Sequence, residues 1–339
     1  MTNESSNASR LSVAMTTTGM MQITGENTTT PPSSHGVEFY FHCALVVIGV
    51  VGTATNGLIL YALVASKQHK KHVLIVNQNV LDLFTCFFMA VIYSLKLGNV
   101  HLGRSVGYWL CTLLLSEWLI YCGSVGAVIN LASITVERYL KVVHSTWSKT
   151  KLRGWMMCSV AAFSWIGAFT YQTALLFSTT AVIDGTCYAY TIWSSDTARL
   201  IQFSYSFLSF YVIILLIFIF CYWRILADIR RRASVMASHA AAGSSTGAEA
   251  QYHKMQSNVS KTMLFVCSFY AISWLPFYIY MLNAKLNPKP RSLVHVTGFY
   301  ASLTITFLYM CTNPFVYAIK FDPVKEVLLR LIPCKKNNE

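Results

Sequence analysis

The chain has 339 residues, 55% of them hydrophobic and 12% charged, and a positive mean hydropathy of +0.48. So apolar a composition excludes an ordinary soluble domain of this length. A net charge of +13 would suit a nucleic-acid binder, but the basic residues gather in one set of loops, which points to a membrane topology and away from nucleic acid.

Residues 1–38 are rich in Ser and Thr, nearly free of charge and carry glycosylation sequons at Asn3, Asn7 and Asn27. They read as a disordered, glycosylated extracellular tail. No apolar core follows this polar start, so no cleavable signal peptide is expected and the first spanning segment serves as the targeting signal. Seven apolar stretches follow, at 43–66, 73–95, 108–136, 154–183, 200–223, 262–284 and 292–319. About 20 apolar residues cross the hydrocarbon core, so each qualifies as a transmembrane helix. The expected fold is an all-α membrane protein, a seven-transmembrane bundle over 39–321.

Asp82 and Glu117 are the two acidic residues inside these stretches. A carboxylate at mid-bilayer costs on the order of 3 kcal/mol, so each needs a partner or a task. Nineteen of the 26 Lys and Arg fall in the loops after the first, third and fifth stretches and in the C-terminal region. That asymmetry places the N-terminus outside the plasma membrane and the C-terminus in the cytoplasm. A fourth sequon, at Asn258, then lies inside and stays bare.

Cys111, at the outer end of the third stretch, and Cys187, in the second outer loop, share an oxidising compartment and are expected to form a disulfide. Cys86, Cys122, Cys158, Cys221, Cys267 and Cys311 lie within spanning stretches and read as small buried hydrophobes. The segment 233–256 is dominated by Ala, Gly and Ser and reads as a flexible third cytoplasmic loop. Beyond it, Asp322 and Pro323 form an N-cap and first-turn pair, followed by apolar Val324, Val327, Leu328, Leu331 and Ile332. This is the spacing of an amphipathic helix lying on the inner leaflet within 322–339, and Cys334 just after it is a palmitoylation candidate.

Glu137-Arg138-Tyr139 ends the third stretch, and Asn313-Pro314-Phe315-Val316-Tyr317 lies in the seventh. With Asn56, Asn77, Asp82, Trp165, Tyr222 and Trp274-Leu275-Pro276 in their own stretches, the chain resembles the rhodopsin-like (class A) G-protein-coupled receptors over roughly 40–334. The resemblance implies a cell-surface receptor that activates heterotrimeric G proteins, with arrestin and a receptor kinase as further partners. It implies a switch of Glu137, Arg138, Tyr139, Tyr222, Trp274, Pro276, Asn313, Pro314 and Tyr317. In such a switch the sixth helix swings outward while Tyr222 and Tyr317 turn toward Arg138. Read without the family, Pro276 and Pro314 each remove a backbone hydrogen bond and make pivots, and Arg138 is a cation with a choice of partners.

The chain also departs from the family. Cys111 stands two residues farther from Arg138 than the usual bridging cysteine, and the fourth and fifth stretches lack their usual prolines, so their outer halves are expected to be straighter. Ala127, Tyr309 and Met310 replace the small polar residues of a sodium pocket. Asp82 is therefore expected to be protonated or bonded through water to Asn56 and Asn313. Ile120 stands where amine receptors carry an Asp, and Phe307 where retinal proteins carry a Lys.

Counting along the helices puts Glu117, Ile120, Tyr121 and Ser124 on one face of the third stretch. Phe277, Tyr278 and Met281 line the sixth, and Phe299, Tyr300 and Leu303 the seventh. This aromatic cavity, with Glu117 near its mouth to pair a ligand cation, suits a peptide; a small lipophilic ligand is the alternative. A channel or transporter is the competing class, opposed by the lack of an inverted repeat. No catalytic residue, metal cluster or cofactor is expected, and the chain reads as a receptor and not an enzyme. From Lys320 on there is no Ser or Thr, so phosphorylation is expected in the third loop. Ser234, after Arg231-Arg232-Ala233, is the leading site, with Ser238, Ser244, Ser245, Thr246, Ser257 and Ser260 as others.

Overall fold

A computed structural model describes residues 33–98, 104–183, 186–190, 192–241, 247–286, 293–320 and 322–331. Asn3, Asn7, Asn27 and Cys334 lie outside them, and of Tyr317 and Ser234 the structure describes the helical backbone.

Nearly every element is helical: α1 (Ser33–Ala65), α2 (Val73–Leu97), α3 (Arg104–Leu110), α4 (Trp118–Val143), α5 (Ser145–Lys151) and α6 (Gly154–Thr179) come first. After a short hairpin come α7 (Asp196–Phe207), α8 (Ile213–Ala241), α9 (Gly247–Leu286), α10 (Leu293–Lys320) and α11 (Asp322–Leu331). Among the described residues six stretches are long and apolar enough to cross a membrane: 36–65, 73–97, 107–143, 154–179, 196–232 and 260–283. Helix α10, at 28 residues and about 1.5 Å per residue, is also long enough to span. The lipid-facing surface explains the composition: Ile166, Trp223 and Ile272 are each 66% exposed, an arrangement stable only in an apolar solvent.

Helix α4 is the axis, packed against α2, α6, α8 and α9, while α1 closes the bundle against α2 and α10. Close approach of α1 and α2 needs Gly49, where an added Cβ would stand 2.6 Å from the backbone nitrogen of Ala90. Leu45, Ile59, Leu63, Ile92, Ile134 and Ile225 are among the fully buried side chains of one continuous core.

The third stretch is not one smooth helix. Between α3 and α4 lie a π-helical turn, Cys111–Leu115, and a left-handed residue, Glu117, at φ 62°. The two residues by which Cys111 is displaced from Arg138 fall in this widened segment, and Cys111 still meets Cys187 in a disulfide with Cα atoms 5.4 Å apart. The fifth stretch likewise contains a π-helical turn, Leu208–Val212, where a straighter helix was expected. Hydrogen bonds explain it: Tyr270 of α9 donates to the Phe210 carbonyl, and the Tyr211 hydroxyl donates to the Ala271 carbonyl at 3.0 Å.

Other boundaries also move. The fourth helix ends at Thr179, not Ile183, because Ala181–Ile183 is strand β1, paired antiparallel with β2 (Thr186–Tyr188) in the register Val182 to Cys187. Helix α1 starts at Ser33, inside the segment expected to be a disordered tail. Much of the expected linker 233–256 is helical, continuing α8 and beginning α9, as its alanines favour. Cys158 faces outward on α6, unlike the five other cysteines expected to be buried. In α11, Val324 is buried while Lys325, Glu326 and Arg330 are exposed, the expected amphipathic division.

Candidate ligand cavity and activation switch

A cavity of about 130 Å³ opens between α4, α6, α7 and α9, beneath the segment that follows β2. From the sequence-based set, Tyr121, Ser124, Phe277, Tyr278 and Met281 line it. Helix α6 adds Tyr171 and Gln172, and α7 adds Arg199, Gln202, Phe203 and Ser206. A polar strip crosses the gap between these two helices. Gln202 Nε2 stands 2.6 Å from the Tyr171 hydroxyl, which lies 2.7 Å from Ser206 Oγ. Trp274 belongs to the lining and packs against Tyr270, Phe277 and Tyr278 with ring centroids 5.9 to 6.2 Å apart.

Glu117, Ile120, Phe299, Tyr300 and Leu303 do not line this cavity. All five are buried; Phe299 packs on Phe277 and Tyr280 of α9 with ring centroids 6.4 and 5.4 Å apart, and Tyr300 on Phe41 of α1 at 4.4 Å. Glu117, expected at the mouth as the partner of a ligand cation, is ion-paired with Lys96 at the end of α2, the two side chains being 5% and 2% exposed. Tyr121 donates to the same carboxylate at 3.3 Å, and Lys96 Nζ lies 5.0 Å from the centroid of the Tyr93 ring. Two charges this deeply buried hold each other. The second apolar stretch, 73–95, stops one residue short of Lys96, whereas α2 runs to Leu97. The spacing of Lys96 from Ile92 and Tyr93, one helical turn, was the signal that α2 continues through it.

Deeper in the bundle, Asn313 Nδ2 donates to Asp82 at 2.8 Å and Gln78 Nε2 donates at 3.3 Å. Asn56 is not in this bond set. It donates instead to the carbonyls of Gly52 and Met310, at 2.9 and 3.3 Å. A second network joins α2, α4 and α6: Asn77 donates to Asn130 and Ser164 at 2.8 and 3.1 Å and accepts from Trp165 Nε1 at 2.9 Å. Asn130 also donates to Gln78 Oε1 at 2.9 Å, which connects the two networks. Gln78 and Asn130 were not singled out in the sequence because a lone amide on an apolar helix has no spacing signature.

At the basic end of α4, Arg138 is 1% exposed and its Nη2 lies 3.1 Å from Glu137 Oε2. Lys141 Nζ holds the other Glu137 oxygen at 2.5 Å. The Tyr139 hydroxyl lies 3.1 Å from His144 Nε2. Tyr222 of α8 is buried, with its hydroxyl 3.8 Å from Cys267 of α9. Pro276 and Pro314 both lie inside helices, α9 and α10.

Residues 55–317 match the family model for the 7 transmembrane receptor (rhodopsin family). The chain belongs to that family. Galanin receptor type 1 of Rattus norvegicus is 22% identical over 325 residues, which cover 90% of this chain and 85% of that receptor. Melanin-concentrating hormone receptor 1 of Macaca mulatta is 23% identical, covering 88% and 83%. Lysophosphatidic acid receptor 3 of Rattus norvegicus is 22% identical, covering 86% and 79%. The crystal structure of squid rhodopsin superimposes with a TM-score of 0.69 over 89% of both chains at 18% identity, a likeness of fold.

This rhodopsin-family receptor is therefore a multi-pass membrane protein that takes an extracellular ligand and couples to G proteins. Phe307, the residue that the sequence places where retinal proteins carry a Lys, is 2% exposed in the core.

Proposed function

We propose that the receptor is switched by an extracellular peptide whose tip enters the cavity between α4, α6, α7 and α9. The observation that carries this reading is the place of Trp274: it lines the cavity and stands two residues before Pro276 within α9. A ligand that displaces the indole acts directly beside the proline pivot, where α9 lacks a backbone hydrogen bond. Outward movement of the basic end of α9 would then free Arg138 from Glu137, with Tyr222 and Tyr317 turning in, to receive a heterotrimeric G protein. The disulfide end faces the outside in this reading, with Asn3, Asn7 and Asn27 glycosylated, Cys334 palmitoylated and Ser234 phosphorylated ahead of arrestin binding. Ser260 is dropped from the phosphorylation set because it is 3% exposed.

The likeness to receptors named for galanin and for melanin-concentrating hormone supports the peptide reading. A small lipophilic ligand is the second reading, favoured by the likeness to a lysophosphatidic acid receptor and by the aromatic cavity walls. A library of peptides and lipids screened with several G-protein sensors decides between the two. In the same assay Arg138→Ala should abolish or greatly reduce nucleotide exchange at unchanged surface expression. An equally active variant would remove Arg138 from the switch.

A further inference from the structure

Tyr190 enters the cavity lining from the segment that follows β2. The residue is 1% exposed, and its ring meets Tyr121 of α4 edge-on at 6.0 Å. Its hydroxyl is buried and meets no hydrogen-bond partner among the described residues. The polar strip between α6 and α7 is served differently, because Tyr171, Gln202 and Ser206 bond to one another. A second lining group without a partner among the described residues is Trp274 Nε1. An indole nitrogen only donates and a phenol donates or accepts, so what both lack in common is an acceptor.

Tyr190 is also held in place. Its backbone is left-handed at φ 57°, a conformation that a bulky L-residue keeps only where its surroundings impose it. Those surroundings are the end of α6 and the indole of Trp193. Tyr190 N–H donates to Thr180 Oγ1 at 3.3 Å, Ile192 N–H donates to the Thr179 carbonyl at 3.0 Å, and Trp193 Nε1 donates to the Tyr190 carbonyl at 2.9 Å. Upstream in β2, Cys187 is bonded to Cys111. A phenol fixed in this way can meet an acceptor without first being ordered, and a buried hydroxyl left without one destabilises the fold until a ligand supplies it.

We propose that Tyr190 is a specificity-determining residue of the ligand site, its hydroxyl donating to a carbonyl oxygen of the bound ligand while the ligand's apolar part packs on the aromatic lining. A carbonyl oxygen offers two lone pairs and no competing proton, and, being uncharged, it enters an aromatic cavity at a lower desolvation cost than an anion. Peptide amides and lipid esters both supply it. The assignment rests on the reading above that this cavity takes the ligand.

The test uses the full-length receptor in phosphatidylcholine nanodiscs and saturation-transfer NMR, with the signal from empty nanodiscs subtracted. The probes share one shape: N-methyl-4-phenylbutanamide, methyl 4-phenylbutanoate, and hexylbenzene, which has no acceptor. Tyr190→Phe removes the hydroxyl and keeps the ring, so it should weaken the amide or the ester by about three- to ten-fold and leave hexylbenzene unchanged. A loss confined to the amide names a peptide-like source and one confined to the ester a lipid-like source; either, or both together, supports the site. In the ligand-free receptor Tyr190→Phe should unfold at the parent's temperature or higher, because it deletes a hydroxyl that has no partner in the fold. Unchanged binding of both carbonyl probes by the variant, no binding of either to the parent, an equal loss for hexylbenzene, or a lower unfolding temperature of ligand-free Tyr190→Phe overturns the assignment. Nucleotide exchange in the peptide and lipid screen, which needs no Tyr190 variant, scores the receptor reading separately.

Discussion

Lys96 and Glu117 show how a single contact reassigns a residue. A carboxylate in a spanning helix invites a functional reading, yet here Glu117, on left-handed backbone, is buried in an ion pair with Lys96. Breaking a buried pair leaves an uncompensated charge, so Lys96→Met and Glu117→Gln should each lower stability by about 3 to 5 kcal/mol, while the double variant recovers part of the loss. Unfolding temperatures of the four proteins in one detergent measure that coupling, and strict additivity would refute the pair. His72, in the turn before α2, makes a second prediction. Burial, and then the charges of Arg138 and Lys141, lower its pKa from 6.5 to about 4. The folded protein thus binds fewer protons than the unfolded chain between these values, so stability falls as pH drops from about 6.5 toward 4, by up to roughly 3 kcal/mol. His72→Gln should flatten that part of the pH profile.

Helix pairing rests on small residues and on local departures from α-helical geometry. Gly49 lets α1 lie against α2, and a methyl there has only backbone to displace. Gly49→Ala should therefore destabilise by about 1 to 3 kcal/mol, seen as a lower unfolding temperature, even though alanine is the better helix former. A neutral or stabilising outcome would mean that the two helices can separate without loss. The π-helical turns at Cys111–Leu115 and Leu208–Val212 act on neighbouring elements. The first lies where the added length between Cys111 and Arg138 must be accommodated, and the second accompanies the bonds from Tyr270 and Tyr211 that tie the fifth helix to α9.

At the disulfide end of the bundle a cavity opens between α4, α6, α7 and α9, while Lys96 of α2 pairs with Glu117 beside α4. The Cys111 to Cys187 bond ties the hairpin to the π-helical turn Cys111–Leu115 across a separation of 76 residues. Cys111→Ser or Cys187→Ser should cost about 2 to 5 kcal/mol and much of the surface expression, measured by unfolding and by surface labelling. Intact stability in either variant would show that helix packing alone sets this end of the molecule.

Seven apolar stretches and the places of Arg138, Asn313 and Trp274 along them were legible in the sequence. Each is a matter of composition or of a short motif read along one segment. The Asp82 to Asn313 bond was legible to the extent that a buried carboxylate must find a partner. The polar partners that serve it and its neighbours, Gln78 and Asn130, come from other turns and helices and were not. Nor was the fate of Phe299, Tyr300 and Leu303, which are buried outside the cavity lining. In a membrane protein both the core-facing and the lipid-facing sides of a helix are apolar, so periodicity says little about how each helix is rotated. Rotation, together with the extra turns near Glu117 and Phe210, decides which aromatic side chains face one another across a cavity and which charge meets which. Those relations arise only when seven helices pack together, and only the tertiary structure settles them.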